Sequence, residues 1–427
     1  MARALAARSA RPSSPVSLPL SEALGCRLAA PLTALVAVPG VDVSAMDGYA
    51  VAGPGPWRVV GRVLAGGVPH DGELRPGEAV EIATGAPTPV GAESVLPYEQ
   101  AQAAPSWVDG VAEPSWVDGV AEPGRHIRRR GEDIPEGAVA LGAGTVLTPV
   151  ALGLAAALGH DTLRVRPRPR VCVLVTGDEV VREGLPGPGR VRDAIGPFLP
   201  GLVEWAGGRV ADTVSLPDGR QPLHACLARP AVGALPDTTL PEAARLEAAR
   251  LASACAGTAR PGSVPFTDES VPFADVVVVC GASSRGPADH LRKVLGGLGA
   301  DVLVDGVAVR PGHPQLLARL PDGPLVVGLP GNPFAALSAA LTLLAPVLRE
   351  LAMTPARVES SALAGAVRAH PRDTRLVPVR RSARGAVPVG HDGPGSLWGA
   401  ALADALAVVP PGWAGEQVEL IELPPGG

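Results

Sequence analysis

The chain has 427 residues, 46% of them hydrophobic, with a formal net charge of −5. Its length accommodates roughly two to four domains, and its acidic balance, with a pI of about 5.9, argues against a sequence-independent binder of nucleic acid or of an anionic membrane, which needs a basic face. Five cysteines, Cys26, Cys172, Cys226, Cys255 and Cys280, are scattered without a C-x-x-C pair, which fits a reducing compartment, excludes a zinc knuckle and suggests no disulfide framework.

At the N-terminus, Pro12, Pro15, Pro19 and Glu22 interrupt any apolar run. Neither a signal peptide nor a membrane span is expected, and the expected location is the cytoplasm. From about residue 17, LSEALGCRLAAPLTALVAVPG has a helical apolar period through Leu24, Leu28 and Ala29, predicting a helix that the prolines end. WRVVGRVLAG (57–66) and EAVEIATGAP (78–87) alternate in strand fashion between turn clusters, so residues 34 to about 135 are expected to form a small β-rich domain. Inside it, PSWVDGVAE occurs at 105–113 and again, unchanged, at 114–122. Two short copies are too few for a solenoid, and they read as a tandem duplication lengthening a surface loop.

Residues 170–350 follow another pattern. VCVLV, ADVVVV and PLVVGL are continuous apolar runs suited to strands buried on both faces, alternating with the helical stretches ADHLRKVLGGLG and FAALSAALTLLAPVLRELA. The expectation is a doubly wound α/β domain. Residues 229 to about 270 are rich in Ala, Pro and Thr, with a helical period only at PEAARLEAARLASACA; they read as an insertion, partly disordered. From about residue 353, RLVPVRR, ALAVVP and QVELIEL return to short strands, predicting a small β-barrel or sandwich.

In open parallel sheets, ligands bind at the carboxyl ends of the strands, where helix N-termini present N–H groups. Three loops stand at such ends: VTGDE (175–179), CGASSRG (280–286) and LPGNP (329–333). Their glycines allow close backbone approach to a phosphate. Asp178 and Glu179 follow the first strand and Asp289 follows the middle loop. Carboxylates beside a phosphate site repel the ligand unless a divalent cation intervenes, so Mg²⁺ is the economical explanation. The plain alternative is that Asp178 and Asp289 cap a turn and a helix.

VDVSAMDGYAV (41–51), IATGAPTPVGAESVLPYE (82–99), GEDIPEG (131–137), RPRVCVLVTGDEVV (168–181), VRPGHP (309–314) and GLPGNP (328–333) occur in this order. The series resembles the signature motifs of the molybdopterin molybdenumtransferases, the cofactor-biosynthesis family that includes the E domain of gephyrin-like proteins. The resemblance runs from about residue 17 to the C-terminus, with the 229–270 insertion and the nine-residue duplication as additions.

The resemblance implies an elongated homodimer. Its domains would be a linker and dimerisation region (1–33 and 136–165), a β-rich domain (34–135), an α/β molybdopterin-binding domain (166–352) and a C-terminal small β-barrel (353–427). It implies a transferase that inserts molybdate into adenylylated molybdopterin, releases AMP to form molybdenum cofactor, and needs a divalent cation such as Mg²⁺. Carried over by motif, Asp47, Thr84 and Asp133 would face the ligand from one subunit, and Glu179 and Asp289, also the metal ligands, from the other. Asp47, Asp133, Glu179 and Asp289 are thus the candidate catalytic residues. Candidate substrate contacts are Thr84, Gly281, Ser284, Gly286, Arg310, His313, Pro330, Gly331, Asn332 and Pro333. Molybdopterin adenylyltransferase and molybdenum-enzyme apoproteins are the implied partners, with no nucleic acid and no membrane. Each residue also has a plainer role: Asp47 and Thr84 in turns, and Asp133 as a partner of the Arg128–Arg130 run.

The chain departs from the family pattern at several points. CGASSRG has Ala282 where a second glycine is usual, Ala194 and Ile195 replace polar residues after Asp193, Arg310 and His313 stand where lysines are common, and Pro394 and Ala405 replace a serine and a glycine. Lys293 is the only lysine in the chain, so an arginine in place of lysine carries little information. Two readings stay open: the enzyme, and a catalytically impaired relative that binds molybdopterin or molybdenum cofactor as carrier, scaffold or regulator. The retained carboxylates favour the enzyme. A separate molybdopterin adenylyltransferase is disfavoured by the S-A-M-D-G and G-E-D-I segments, and a dinucleotide-binding dehydrogenase by the lack of G-x-G-x-x-G after a strand.

Overall fold

The computed structural model describes residues 1–108, 111–228, 274–281, 290–321, 323–354, 358–415 and 417–425. The chain divides into two compact units, Pro15–Val165 and a second made of Met1–Ser14 with Arg166–Gly427. The insertion read at 229–270 lies outside the described residues.

In the first unit, Val16–Pro19 runs antiparallel to Thr162–Arg166, with Val16 opposite Val165 and Pro19 opposite Thr162. The helix expected from residue 17 is therefore absent, and a single 3₁₀ turn, Leu20–Glu22, follows the strand. Pro19 and the positive φ of Gly25 (+75°) oppose a helix, and strand pairing places Leu18 and Leu28 against the same core. A helix does form at Pro149–Ala157. Thr148 caps it by accepting the Ala151 N–H at 3.2 Å, with Pro149 at the first position.

The β-rich part is a six-stranded sheet in the order Ser94–Pro97, Gly48–Val51, Glu78–Ile82, Trp57–Val63, Val111–Asp118, Gln102–Val108. The duplicated segment is a pair of strands rather than a lengthened loop. Val111 stands opposite Val108, and Val117 opposite Trp57, so the segment extends the sheet. The S-W-V core of each copy favours strand over coil, and the D-G of the first copy lies outside the described residues.

The second unit is built on a six-stranded sheet ordered Arg209–Leu216, Arg170–Thr176, Val276–Cys280, Leu325–Leu329, Leu316–Arg319, Asp301–Asp305. The first four strands are parallel and the last two antiparallel. Successive residues of one strand feed two cores: Val171, Val173 and Val175 face one, Cys172 and Leu174 the other. That explains the continuous apolar runs. The first core also takes helix Leu199–Trp205, the long helix Pro333–Leu351 and Ala6 of the N-terminal helix Ala2–Arg8. Residues 1–14 thus belong to this unit rather than with 15–33. Helix Pro333–Leu351 has the length and hydropathy of a membrane span, but its most apolar stretch is 83% buried in this core.

The C-terminal strands form a further sheet ordered Val309–Arg310, Thr374–Ser382, Ala405–Val409, Gln417–Glu422, Glu359–Ala362, with Gly385–Pro388 also on Thr374–Ser382. An isolated bridge joins Leu363 to Ala386. The whole is therefore a multidomain chain of mixed α/β and β sheets.

Candidate functional site

In the first unit, two motifs distant in sequence are zipped together. Ser44 N–H donates to Ala86 O at 3.0 Å, Gly85 N–H to Ser44 O at 2.8 Å, and Thr84 N–H to Asp47 Oδ1 at 2.7 Å. Asp47 is exposed at the start of a strand whose first residue, Gly48, admits no side chain: a Cβ there would lie 2.1 Å from Leu96 O. The structure therefore brings Asp47 and Thr84 together, on a turn that backbone packing holds in place.

Asp133 sits differently. Its carboxylate pairs with Arg128, while Arg129 binds Asp42 at 2.7 Å and Arg130 binds Glu136 at 2.6 Å. The Arg128–Arg130 run is thus matched by its own carboxylates. The backbone N–H of Arg130, then the Arg129 side chain, hold the Asp42 carboxyl below the usual range. Sequence reasoning missed a neighbouring cluster: Tyr98 Oη donates to Glu81 at 2.6 Å, Arg62 donates to the same carboxylate at 2.6 Å, and the Tyr98 and Tyr49 rings meet edge-on at 5.3 Å. Burial, then Glu81, push the Tyr98 phenol up.

In the second unit, three strand ends converge. Thr176 Oγ1 donates to Cys280 O at 2.9 Å, and Gly281 N–H donates to Leu329 O at 3.1 Å. Gly281 has φ +90°, where a Cβ would lie 2.9 Å from Thr176 O, and a Cβ on Gly331 would sit 3.7 Å from Gly281 Cα. Only glycine satisfies the strand end at 281. Glu179 is exposed, and its Oε2 lies 3.0 Å from where a Cβ on Gly177 would be. Asp218, which sequence reasoning also missed, accepts the Asp178 N–H at 3.3 Å. Asp193 spends its carboxylate on the N–H groups of Ile195 and Gly196, at 3.0 and 2.9 Å. Ser284, Gly286 and Asp289 lie outside the described residues. Among the described residues, no three His, Cys, Asp or Glu side chains cluster as a ready-made metal cage.

The basic stretch 309–314 is fastened from several sides. Arg310 Nε donates to Asp373 at 2.6 Å, and His313 Nδ1 bonds Val307 O at 2.8 Å. A carbonyl only accepts, so Nδ1 carries the His313 proton. Gly312 has φ +108° and seats against Ala335 and Ser338 of the long helix. Behind it, fully buried Gln315 donates to Gly312 O at 2.8 Å and accepts from Thr342 Oγ1 at 2.6 Å. Thr342 lies in a π-helical segment, Ala340–Leu344, a distortion common near functional sites. The signals for this pair were faint: a polar residue ahead of the apolar LLARL and one threonine in an apolar helix.

At LPGNP, Pro333 opens the helix, but the N–H groups of Phe334 and Ala335 donate to Pro394 O at 3.0 and 3.3 Å. The first-turn donors expected to grip an anion are thus capped by the C-terminal loop.

This geometry is matched by relatedness. Residues 1–159 match the model for the MoeA N-terminal region (domain I and II), 267–350 that for a probable molybdopterin binding domain, and 361–423 that for the MoeA C-terminal region (domain IV). The chain is 33% identical over 379 residues to molybdopterin molybdenumtransferase 2 of Mycobacterium tuberculosis, covering 84% of this chain and 82% of the relative. It is 31% identical over 344 residues to the molybdopterin molybdenumtransferase of Synechococcus elongatus, covering 78% and 74%. A solved molybdopterin biosynthesis MoeA protein of Pyrococcus horikosii superimposes with a TM-score of 0.66 at 25% identity, over 99% of this chain and 97% of the other.

Proposed function

This chain belongs to the molybdopterin molybdenumtransferase family, and on that premise we propose that it inserts molybdate into adenylylated molybdopterin, with release of AMP, to form molybdenum cofactor. It is a transferase of molybdenum-cofactor biosynthesis. The observation that carries the reaction is the convergence of Thr176, Gly281 and Gly331 at one sheet edge in the unit where the 309–314 bend is bolted to the helix that opens at LPGNP.

Cleaving a phosphoanhydride needs charge neutralisation and a positioned water more than a protein nucleophile. Arg310 supplies a permanent charge for the oxyanions. His313, tied by Nδ1 to Val307 O, stands on the same bend. Asp47, its Oδ1 anchored by the Thr84 N–H, orients water or a substrate hydroxyl. Glu179 would hold the metal ion, and Asp289, which lies outside the described residues, is the second proposed ligand. An all-oxygen set with few protein ligands would suit Mg²⁺. When bound, Mg²⁺ offsets the charge of the phosphates.

We extend the proposal to a homodimer with a shared site, located in the cytoplasm. Supporting dimerisation, helix Pro149–Ala157 contains no charged residue and Val150 on it is 81% exposed. The C-terminal sheet reads as a small barrel, supported by the Leu363–Ala386 bridge between its strand ends. Molybdopterin adenylyltransferase as donor and molybdenum-enzyme apoproteins as acceptors follow from the reaction. The test is a single-turnover assay with adenylylated molybdopterin, molybdate and Mg²⁺, following AMP and molybdenum cofactor together. Molybdate-dependent appearance of both is expected; tight ligand binding without AMP under any divalent cation would make the protein a carrier or scaffold.

A further inference from the structure

The C-terminal sheet puts a carboxylate where an anion belongs. Val309–Arg310 pairs in parallel with Thr374–Ser382, Val309 opposite Thr374 and Arg310 opposite Arg375, and Thr374 N–H donates to Ala308 O at 2.9 Å. This register sets Asp373 beside Arg310, whose Nε donates to Asp373 Oδ2 at 2.6 Å. The arginine side chain is 59% exposed and the carboxylate 15%. His370 stands on the other side, Nδ1 at 3.5 Å from the same oxygen. That nitrogen accepts the N–H groups of Arg372 and Asp373, at 3.3 and 2.9 Å, so Nε2 carries the proton of neutral His370. The Arg310 hydrogen bond first, then the Arg310 charge, hold the Asp373 carboxyl below its ordinary range. Arg310 thus holds this carboxylate directly, with the His370 ring beside it.

Two physical points decide what this means. An ion pair on so exposed an arginine is weak, so exchanging its partner costs little. A tetrahedral dianion can also use the guanidinium fork at two nitrogens and brings twice the charge. Building on the reading of Arg310 as a substrate contact, we propose that Asp373 is an internal counter-ion that occupies Arg310 until a tetrahedral oxyanion displaces it, and that His370 joins His313 around the bound anion. The oxyanion is molybdate itself or a phosphate of the nucleotide-linked substrate. Asp373 then acts as an intramolecular competitor that lowers apparent affinity in proportion to how fully it occupies Arg310.

The experiment is equilibrium dialysis of the full-length protein against molybdate, and separately against inorganic phosphate, without other substrates. Asp373→Asn is expected to tighten binding about threefold to tenfold for the anion this subsite takes, and Asp373→Glu to stay near wild type. Arg310→Gln is expected to abolish the gain, and His370→Gln to weaken binding severalfold. Tightening for molybdate alone identifies the metal oxyanion, for phosphate alone the substrate phosphate; either supports the proposal. Unchanged or weaker binding of both anions by Asp373→Asn overturns it. If that variant melts early, Asp373→Ser answers the same question. Unchanged binding by His370→Gln removes His370 from the site. Loss of AMP release in the wild type would sink the proposed reaction while leaving these binding results intact, so the two failures are distinguishable.

Discussion

The basic bend 309–314 and the acidic turn 177–181 belong to the same unit and are built in opposite ways. The bend is tied to the C-terminal sheet by strand pairing, to the long helix by the seat of Gly312, and to a buried amide through Gln315. The turn has the Val180 N–H on Gly177 O at 3.2 Å, the Val191 N–H on Glu179 O at 2.9 Å, and an exposed carboxylate. The contrast is one of preorganisation. On the roles proposed above, groups that would meet a fixed negative charge are held before the ligand arrives, whereas a carboxylate that would bind a hydrated cation would gain rigidity from the cation.

The contrast is broken most directly at Arg310. Arg310→Gln keeps a polar side chain but removes the permanent charge, and turnover is expected to fall about 10²-fold or more in a single-turnover AMP assay. A loss under threefold would mean that the bend serves folding only. Next in size is a paired test of stability. Gln315→Leu leaves Gly312 O without its buried donor, while the Thr342 hydroxyl keeps Ser338 O at 2.8 Å, and is expected to cost about 1–3 kcal/mol by urea denaturation. Glu179→Gln should change stability by less than about 0.5 kcal/mol while raising the Mg²⁺ concentration needed for half-maximal AMP release. Equal destabilisation by both would erase the distinction.

Gly281→Ala tests the strand end between the two regions. At φ +90° with Thr176 O in the way, it is expected to cost about 1–2 kcal/mol, read as a lower urea midpoint. The smallest effect is with pH. Asp42 and Asp373 both have carboxyls held below their ordinary range by arginine partners. Their stabilisation is therefore present above the unfolded value near 4 and is lost as pH falls through the folded values. The urea midpoint of the wild type should drop more between pH 6 and pH 3 than that of the Asp42→Asn, Asp373→Asn double variant. Parallel decline of the two would show that these ion pairs contribute nothing.

Much of the architecture was legible because parallel strands buried on both faces write their environment into consecutive residues. VCVLV and PLVVGL could be little else, and the glycine turns at their ends follow. Misreadings came where a local pattern served two structures. Leu24 and Leu28 recur with helical spacing, yet the chain before them pairs with residues 162–166; and the repeated PSWVDGVAE is flanked like a loop but has the composition of a strand.

The chain's own order of residues determined the strand and loop grammar and the type of charge at each motif, since periodicity and turn chemistry depend on neighbours a few positions away. Only the tertiary structure decided which charge meets which: Asp133 with Arg128, Asp373 with Arg310, the Pro394 carbonyl over the start of the long helix, and Gln315 behind Gly312. Ion pairs and buried hydrogen bonds depend on side-chain directions set when separate sheets and helices pack, and no short-range pattern in the sequence encodes that meeting.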